Sequence, residues 1–179
     1  VSQIKSSLDK SGTTIISAPP GCGLTSSWQG ALVTADRLTR DCVGVIDQDE
    51  VETVQANLVI HRYEEGTENS QLPILQTLLL TQPDLLAVPK IETPETLDLL
   101  MHQVITQQRS VLLRIPAKSA AEALLKIYKQ TSDRDQFLKA TSNITCQRLV
   151  RRLCADCRAE VRGPPKPRQQ LGGDQTAQG

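Results

Sequence analysis

The chain has 179 residues with 20 basic and 20 acidic side chains, a formal net charge of +0. That length supports one α/β core rather than two, and the balanced charge excludes a global bias towards nucleic acid or membrane surfaces. The aromatic residues Trp28, Tyr63, Tyr128 and Phe137 are too few for the stacking platforms of single-strand binders, so no nucleic-acid partner is expected.

Apolar Ile4 and Leu8 predict a short helix that Gly12 ends, and Thr13–Ser17 is a β-branched run that predicts a strand. Ala18-Pro19-Pro20-Gly21-Cys22-Gly23 reads as a loop, and Leu24 to about Arg37 as a helix with Leu32 and Leu38 on its inner face. Further strands are predicted at Val43–Ile46, Ala56–Ile60, Leu85–Val88 and Val111–Ile115, with helices at Ser70–Leu80, Thr93–Gln107 and Ser119–Gln130. Strands alternating with helices of this length indicate a mostly parallel sheet with helices on both faces. Near-continuous apolar strands agree, because strands covered on both faces need not alternate.

Beyond Arg162 the chain turns to Gly163-Pro164-Pro165-Lys166-Pro167-Arg168 and then to Gly, Gln, Asp and Thr. Such a stretch has little to bury, so residues 1–162 are expected to form the domain and 163–179 a disordered, basic, Pro- and Gly-rich tail or linker. The apolar runs are too short to cross a bilayer and no signal-peptide pattern is present, so a cytoplasmic chain is expected. The opening residue is Val1, which suggests a piece of a longer protein.

The loop between the first strand and its helix can be read against the phosphate-binding pattern G-x-x-x-x-G-K-[ST], in which backbone N–H groups surround the phosphates, Lys neutralises charge and the hydroxyl binds Mg²⁺. Here Ala18 stands at the first Gly and Leu24 at the Lys, while Gly23 and Thr25 keep the frame. Gly21, Cys22, Gly23, Leu24, Thr25 and Ser26 are therefore the candidate nucleotide-binding residues. A Gly-rich turn required only by backbone geometry explains the same residues.

The acidic group Asp47, Asp49, Glu50 and Glu52 suggests a metal site, and a solvated strand exit accounts for it equally. Five cysteines are an odd number, and Cys22, Cys42 and Cys146 follow no spacing pattern, so reduced thiols are expected. Cys154-Ala155-Asp156-Cys157 has the spacing of half a tetrahedral zinc site. No second pair follows and His61 and His102 lie in distant segments, so Cys154 and Cys157 remain half-site candidates and zinc is not expected.

Gln147-Arg148-Leu149-Val150-Arg151-Arg152-Leu153-Cys154-Ala155-Asp156-Cys157 closely resembles the Q-R-L-V-R-R-L-C-x-x-C signature of the ATPases of type II secretion and type IV pilus assembly. On residue chemistry alone it is a basic segment with solvated arginines. The resemblance extends in order over Val1–Arg158, through the loop above and three further blocks. Gln48-Asp49-Glu50-Val51-Glu52 stands at the family's E-D-P-V-E. Pro89-Lys90-Ile91-Glu92-Thr93 stands at its G-E-I-R-D, and Pro116 at its box histidine.

The resemblance implies a RecA-like P-loop fold, ATP with Mg²⁺ as ligand, hexameric rings and an inner-membrane platform protein as partner at the cytoplasmic face. The replacements at Leu24, Lys90 and Pro116 fall on the family's lysine, glutamate and histidine, leaving Asp49 and Glu52 as remnants of the acidic box. No catalytic residue is therefore assigned, and ATP is expected to bind weakly or not at all. The expectation is a degenerate member, or a fragment of the family's C-terminal ATPase domain, acting as an assembly or regulatory subunit in a homo- or hetero-hexamer. The alternative is a working motor in which Lys90 or Lys118 reaches the phosphates; a fragment of a non-functional gene is a third reading.

Overall fold

The structure is a computed structural model that describes residues 2–50, 55–67 and 69–150. The chain divides into two units, Val1–Leu149 and Val150–Gly179, and the fold below is that of the first.

Six helices and six strands alternate: α1 (Ser2–Leu8), β1 (Gly12–Ala18), α2 (Leu24–Thr34), β2 (Cys42–Asp47), β3 (Val59–Tyr63), α3 (Gln71–Leu79), β4 (Leu85–Val88), α4 (Pro94–Gln107), β5 (Ser110–Pro116), α5 (Ala120–Tyr128), α6 (Arg134–Ala140) and β6 (Thr141–Cys146). The strands form one sheet in the order β3-β2-β4-β5-β1-β6. Every described pairing is parallel, for example Thr14 with Leu112 and Ile16 with Arg114. This is the mostly parallel sheet expected from the alternating pattern.

Strand periodicity sends neighbouring residues to opposite faces, and the core divides accordingly. Ile15, Val43, Val45, Leu86, Val88, Val111 and Leu113 pack with Leu75, Leu97, Leu100, Met101, Ile127 and Phe137, from α3 to α6. Ile16, Cys42, Leu85, Ala87 and Leu112 pack on the other face with Leu8, Trp28, Ala31 and Leu32, from α1 and α2. Each fully buried large apolar side chain contributes about 1.5–3 kcal/mol relative to exposure. Both faces of the central strands are covered, which is why Leu85–Val88 is buried at all four positions.

Two predicted elements move by about three residues. The helix after the loop stops at Thr34 because the Asp36 carboxylate accepts from Leu38 N at 3.2 Å, Thr39 N at 3.3 Å and the Thr39 hydroxyl at 2.5 Å. A short polar side chain bonding its own backbone competes with helix, and Leu38, expected on an inner face, is 87% exposed. The strand expected at Ala56–Ile60 lies at Val59–Tyr63, because Asn57 adopts a left-handed φ of 58° in the preceding turn. Helix α6 and strand β6 have no counterpart among the predicted elements. Helix α6 has seven residues and is started by the Asp133 side chain, which accepts from Gln136 N. Strand β6 is a polar edge strand.

Helix starts elsewhere follow local chemistry. Thr93 accepts from Thr96 N with Pro94 next in line, and Ser119 accepts from Glu122 N. Among the described residues no helix is long and apolar enough to cross a membrane. Glu52, Cys154, Cys157 and the 163–179 tail lie outside the described residues, so the expectations attached to them carry no structural account here.

Candidate functional site

Strand β1 lies between β5 and β6, yet the chain leaving it passes to β2, beyond β5 and β4. In open α/β sheets the crevice at such a reversal, at the carboxyl ends of the strands, is where ligands sit. A cleft of about 590 Å³ lies there. It is lined by Leu24 and Thr25 at the start of α2, Asp47, Asp49 and Glu50 after β2, Pro89–Ile91 after β4, Leu113–Pro116 of β5, and Ile127 and Gln130 near α5.

The candidate phosphate loop closes over the end of β1. Cys22 N donates to Pro19 O at 3.0 Å, and Gly21 and Gly23 hold φ of 72° and 80°. Those left-handed values fit glycine, and Gly23 occupies the N-cap position of α2. The first amides of an α-helix have no intrahelical acceptor, so the start of α2 offers donors by construction. From the far side, Gln147 Nε2 donates to Cys22 O at 3.2 Å and Gly23 O at 3.4 Å, while Gln147 N donates to Ser17 O at 2.9 Å. The leading residue of the basic signature therefore tethers the loop.

Of the candidate nucleotide-binding residues, Leu24 and Thr25 line the cleft. Gly21, Cys22 and Gly23 form the turn beside it, and Ser26 is exposed in the first turn of α2. Leu24 is half-buried against the α1 and α2 core layer, so its side chain serves packing. Asp49 lines the cleft wall. Pro116 ends β5, and its carbonyl accepts from Lys126 Nζ at 2.7 Å.

Two cations line the cleft among the described residues, and carboxylates hold both. Lys90 Nζ lies 3.5 Å from Asp47 Oδ2 and 3.3 Å from Glu65 Oε2. Burial works against the Lys90 charge, but the Glu65 and Asp47 carboxylates outweigh it and push the ammonium pKa up. Arg114 is ion-paired with Glu50 and lies over the Trp28 ring at 5.5 Å. Neither pair was read from the sequence. The one available signal for Arg114 was a cation inside the otherwise apolar run Val111–Ile115.

Two further residues organise the acidic side of the cleft. Arg62 Nη1, from β3, donates to the carbonyls of Asp47, Gln48 and Glu50 at 3.3, 3.1 and 3.0 Å. Gln71, fully buried at the start of α3, donates to Lys90 O at 2.6 Å and accepts from Glu92 N at 3.1 Å. These contacts fix the segments that carry Asp47, Lys90 and Glu92. His61, on β3, and His102, on α4, occupy separate elements.

A family profile described as type II/IV secretion system protein matches residues 2–178. The chain belongs to that family. Among curated relatives, the type II secretion system protein HxcR of Pseudomonas aeruginosa is 27% identical over 159 residues, 85% of this chain and 32% of the relative. The type II secretion system protein E of Pectobacterium carotovorum is 27% identical over 172 residues, 90% of this chain and 32% of the relative. This secretion-family chain thus spans about a third of the length of those relatives.

Solved structures agree on the fold. The pilus retraction motor PilT with bound ADP superposes with a TM-score of 0.64 at 17% identity, covering 84% of this chain and 46% of that one. The VirB11 ATPase of the Brucella suis type IV secretion system, in complex with sulphate, gives 0.62 at 12% identity, covering 81% and 47%. The RecA-like fold and the secretion and pilus ATPase kinship expected from the ordered blocks both hold.

Proposed function

We propose that this chain is a secretion- or pilus-ATPase relative that has lost ATP turnover and acts as an assembly or regulatory subunit. The observation that carries the reading is the state of the cleft's cations. Leu24 stands where a lysine would neutralise phosphate charge, and Lys90 and Arg114 are each held by carboxylates. Phosphoryl transfer depends almost wholly on positioning and on stabilising charge over the transferred group.

The residues present fit a magnesium–triphosphate poorly, so no hydrolytic step is derived through it. Asp47 and Glu50 on the same wall are already paired with Lys90 and Arg114, so a polyphosphate brought there meets no free cation among the described residues. Thr25 and the amides of α2 could still accept a single phosphate group. The kinship supports the rest of the setting: a hexameric ring, homomeric or shared with an active relative, docked on an inner-membrane platform protein from the cytoplasmic side.

The test is a titration with a fluorescent ATP analogue, followed by steady-state ATP turnover. The reading expects no saturable binding below millimolar nucleotide and turnover at background. Turnover abolished by Thr25→Ala would overturn it in favour of a working motor. Thr25 and Asp49 on the cleft wall are the observations that favour that second reading.

A further inference from the structure

A second cluster of charge lies at the carboxyl ends of β2, β3 and β4. Asp47 ends β2, Glu65 follows β3 in the next turn, and Glu92 follows β4. One carboxylate oxygen from each lies within 4.8 Å of the other two. Oxygens bound to a single Ca²⁺, at about 2.3–2.6 Å from the ion, are separated by no more than about 5 Å. The three carboxylates are therefore already at the spacing one ion would impose. None stands at a family acidic or catalytic position: the family's glutamate falls at Lys90, and its acidic box begins at Gln48.

The cluster is not balanced internally. Three carboxylates face one ammonium, and Lys90 contacts Asp47 and Glu65 only. One Glu92 carboxylate oxygen is buried without a hydrogen-bond partner. Burial raises the Glu92 pKa, and the Glu65 and Asp47 carboxylates add to the rise. Backbone contacts hold Glu92 in place nonetheless, because the buried Gln71 amide grips the peptide on both sides of Ile91.

Tyr63 supplies the independent observation. It is 1% exposed, its hydroxyl oxygen has no hydrogen-bond partner, and the charges acting on it are those of Glu92, Asp47 and Glu65. Leaving a buried hydroxyl unpartnered costs about 1–3 kcal/mol. A phenol beside three carboxylates can donate to a bound carboxylate or to a water of a hydrated ion. Such donors around first-sphere carboxylates are the usual outer layer of oxygen-ligand cation sites.

We propose that Asp47, Glu65 and Glu92 form a divalent-cation site, with the Tyr63 hydroxyl as its outer hydrogen-bond donor and the Lys90 ammonium as the group the ion displaces. The all-oxygen donor set selects a hard ion of the Ca²⁺, Mn²⁺ or Mg²⁺ class. Lys90 can leave because its side chain is 52% exposed on a flexible stem. A divalent ion adds one more positive charge than the ammonium it replaces and reaches the Glu92 oxygen that Lys90 does not contact.

The experiment is a Mn²⁺ titration of the full chain without nucleotide, counting free Mn²⁺ by electron paramagnetic resonance. The expected result is one saturable Mn²⁺ per chain with a Kd of about 0.1–1 mM, as for open carboxylate sites. Glu65→Gln and Glu92→Gln should each weaken binding about tenfold, and Tyr63→Phe about threefold, as losses of one charged ligand and one hydrogen bond. Lys90→Met should tighten it about tenfold by removing the competitor. Glu65 is exposed, so Glu65→Gln reads the site in a folded chain. No saturable binding by the wild type, binding indifferent to Glu65→Gln and Glu92→Gln, or binding only when ATP is present would overturn the proposal. The absence of nucleotide separates this outcome from the fate of the non-hydrolysing reading.

Discussion

Arg114 and Glu50 form an ion pair across the cleft, with side chains only 16% and 19% exposed, linking the end of β5 to the segment after β2. Trp28 lies beneath the guanidinium, which is flat enough to stack on a ring while donating at its edge. Burial lowers the Arg114 pKa without removing the charge. The pair ties the end of β5 to the segment after β2.

Removing one partner leaves the other charge poorly solvated. Glu50→Gln is expected to cost about 2 kcal/mol, below the 3–5 kcal/mol of fully buried pairs. For a domain of this size that lowers Tm by about 4–8 °C. Arg114→Met combined with Glu50→Gln should recover part of the loss, and a double-mutant cycle by thermal unfolding measures the coupling.

Leu24→Lys restores the ammonium that the phosphate loop lacks. With Lys90 and Pro116 unchanged, nucleotide affinity is expected to rise about tenfold or more while ATP turnover stays at background, since charge at the loop serves binding and the transition state needs more. Fluorescent-analogue titration and a phosphate-release assay read the two effects separately.

Gln147→Ala removes both side-chain bonds to the loop carbonyls of Cys22 and Gly23. The expected loss is about 1 kcal/mol, with faster amide hydrogen exchange confined to the Pro19–Thr25 segment. Exchange that rises equally over the whole sheet would show that Gln147 is not a local tether.

Asp98 links pH to stability. Burial raises its pKa, but hydrogen bonds from the Thr131 hydroxyl at 2.6 Å and Ser132 N at 3.2 Å outweigh this, so the folded-state pKa is depressed. A depressed carboxyl stabilises the fold above its unfolded pKa of about 3.9 and loses that contribution as pH falls through the folded value. Asp98→Asn should therefore cost about 1–2 kcal/mol at pH 7, and its urea midpoint should converge with the wild type in strong acid.

Phe137 of α6 is fully buried in the layer that carries α3 to α6. Phe137→Ala is expected to cost about 3–5 kcal/mol, the range for truncating a large core side chain. Denaturant unfolding with an unchanged m-value would attribute that loss to the cavity.

The residue pattern carried most elements because local chemistry sets them. The β-branched run Thr13–Ser17, the Thr93 and Ser119 caps and the apolar runs of β4 and β5 all act within a few residues. Helix α6 and strand β6 escaped for the same reason inverted: seven residues and a polar edge strand give too little periodicity. Leu38 was misread because the Asp36 side chain stops the helix before the apolar spacing does.

The strand–loop–helix unit around Ala18–Thr25, the order of the motif blocks and Leu24 at the loop's lysine position are all legible in the linear residue order. Which charges meet is set by the folded sheet. Arg114 with Glu50, Lys90 with Asp47 and Glu65, and Gln147 with Cys22 are separated by 64, 43, 25 and 125 positions. Their encounter depends on the strand order β3-β2-β4-β5-β1-β6, which brings distant strand ends to one edge of the sheet. Side-chain periodicity reports which face a residue takes, not which strand lies beside it.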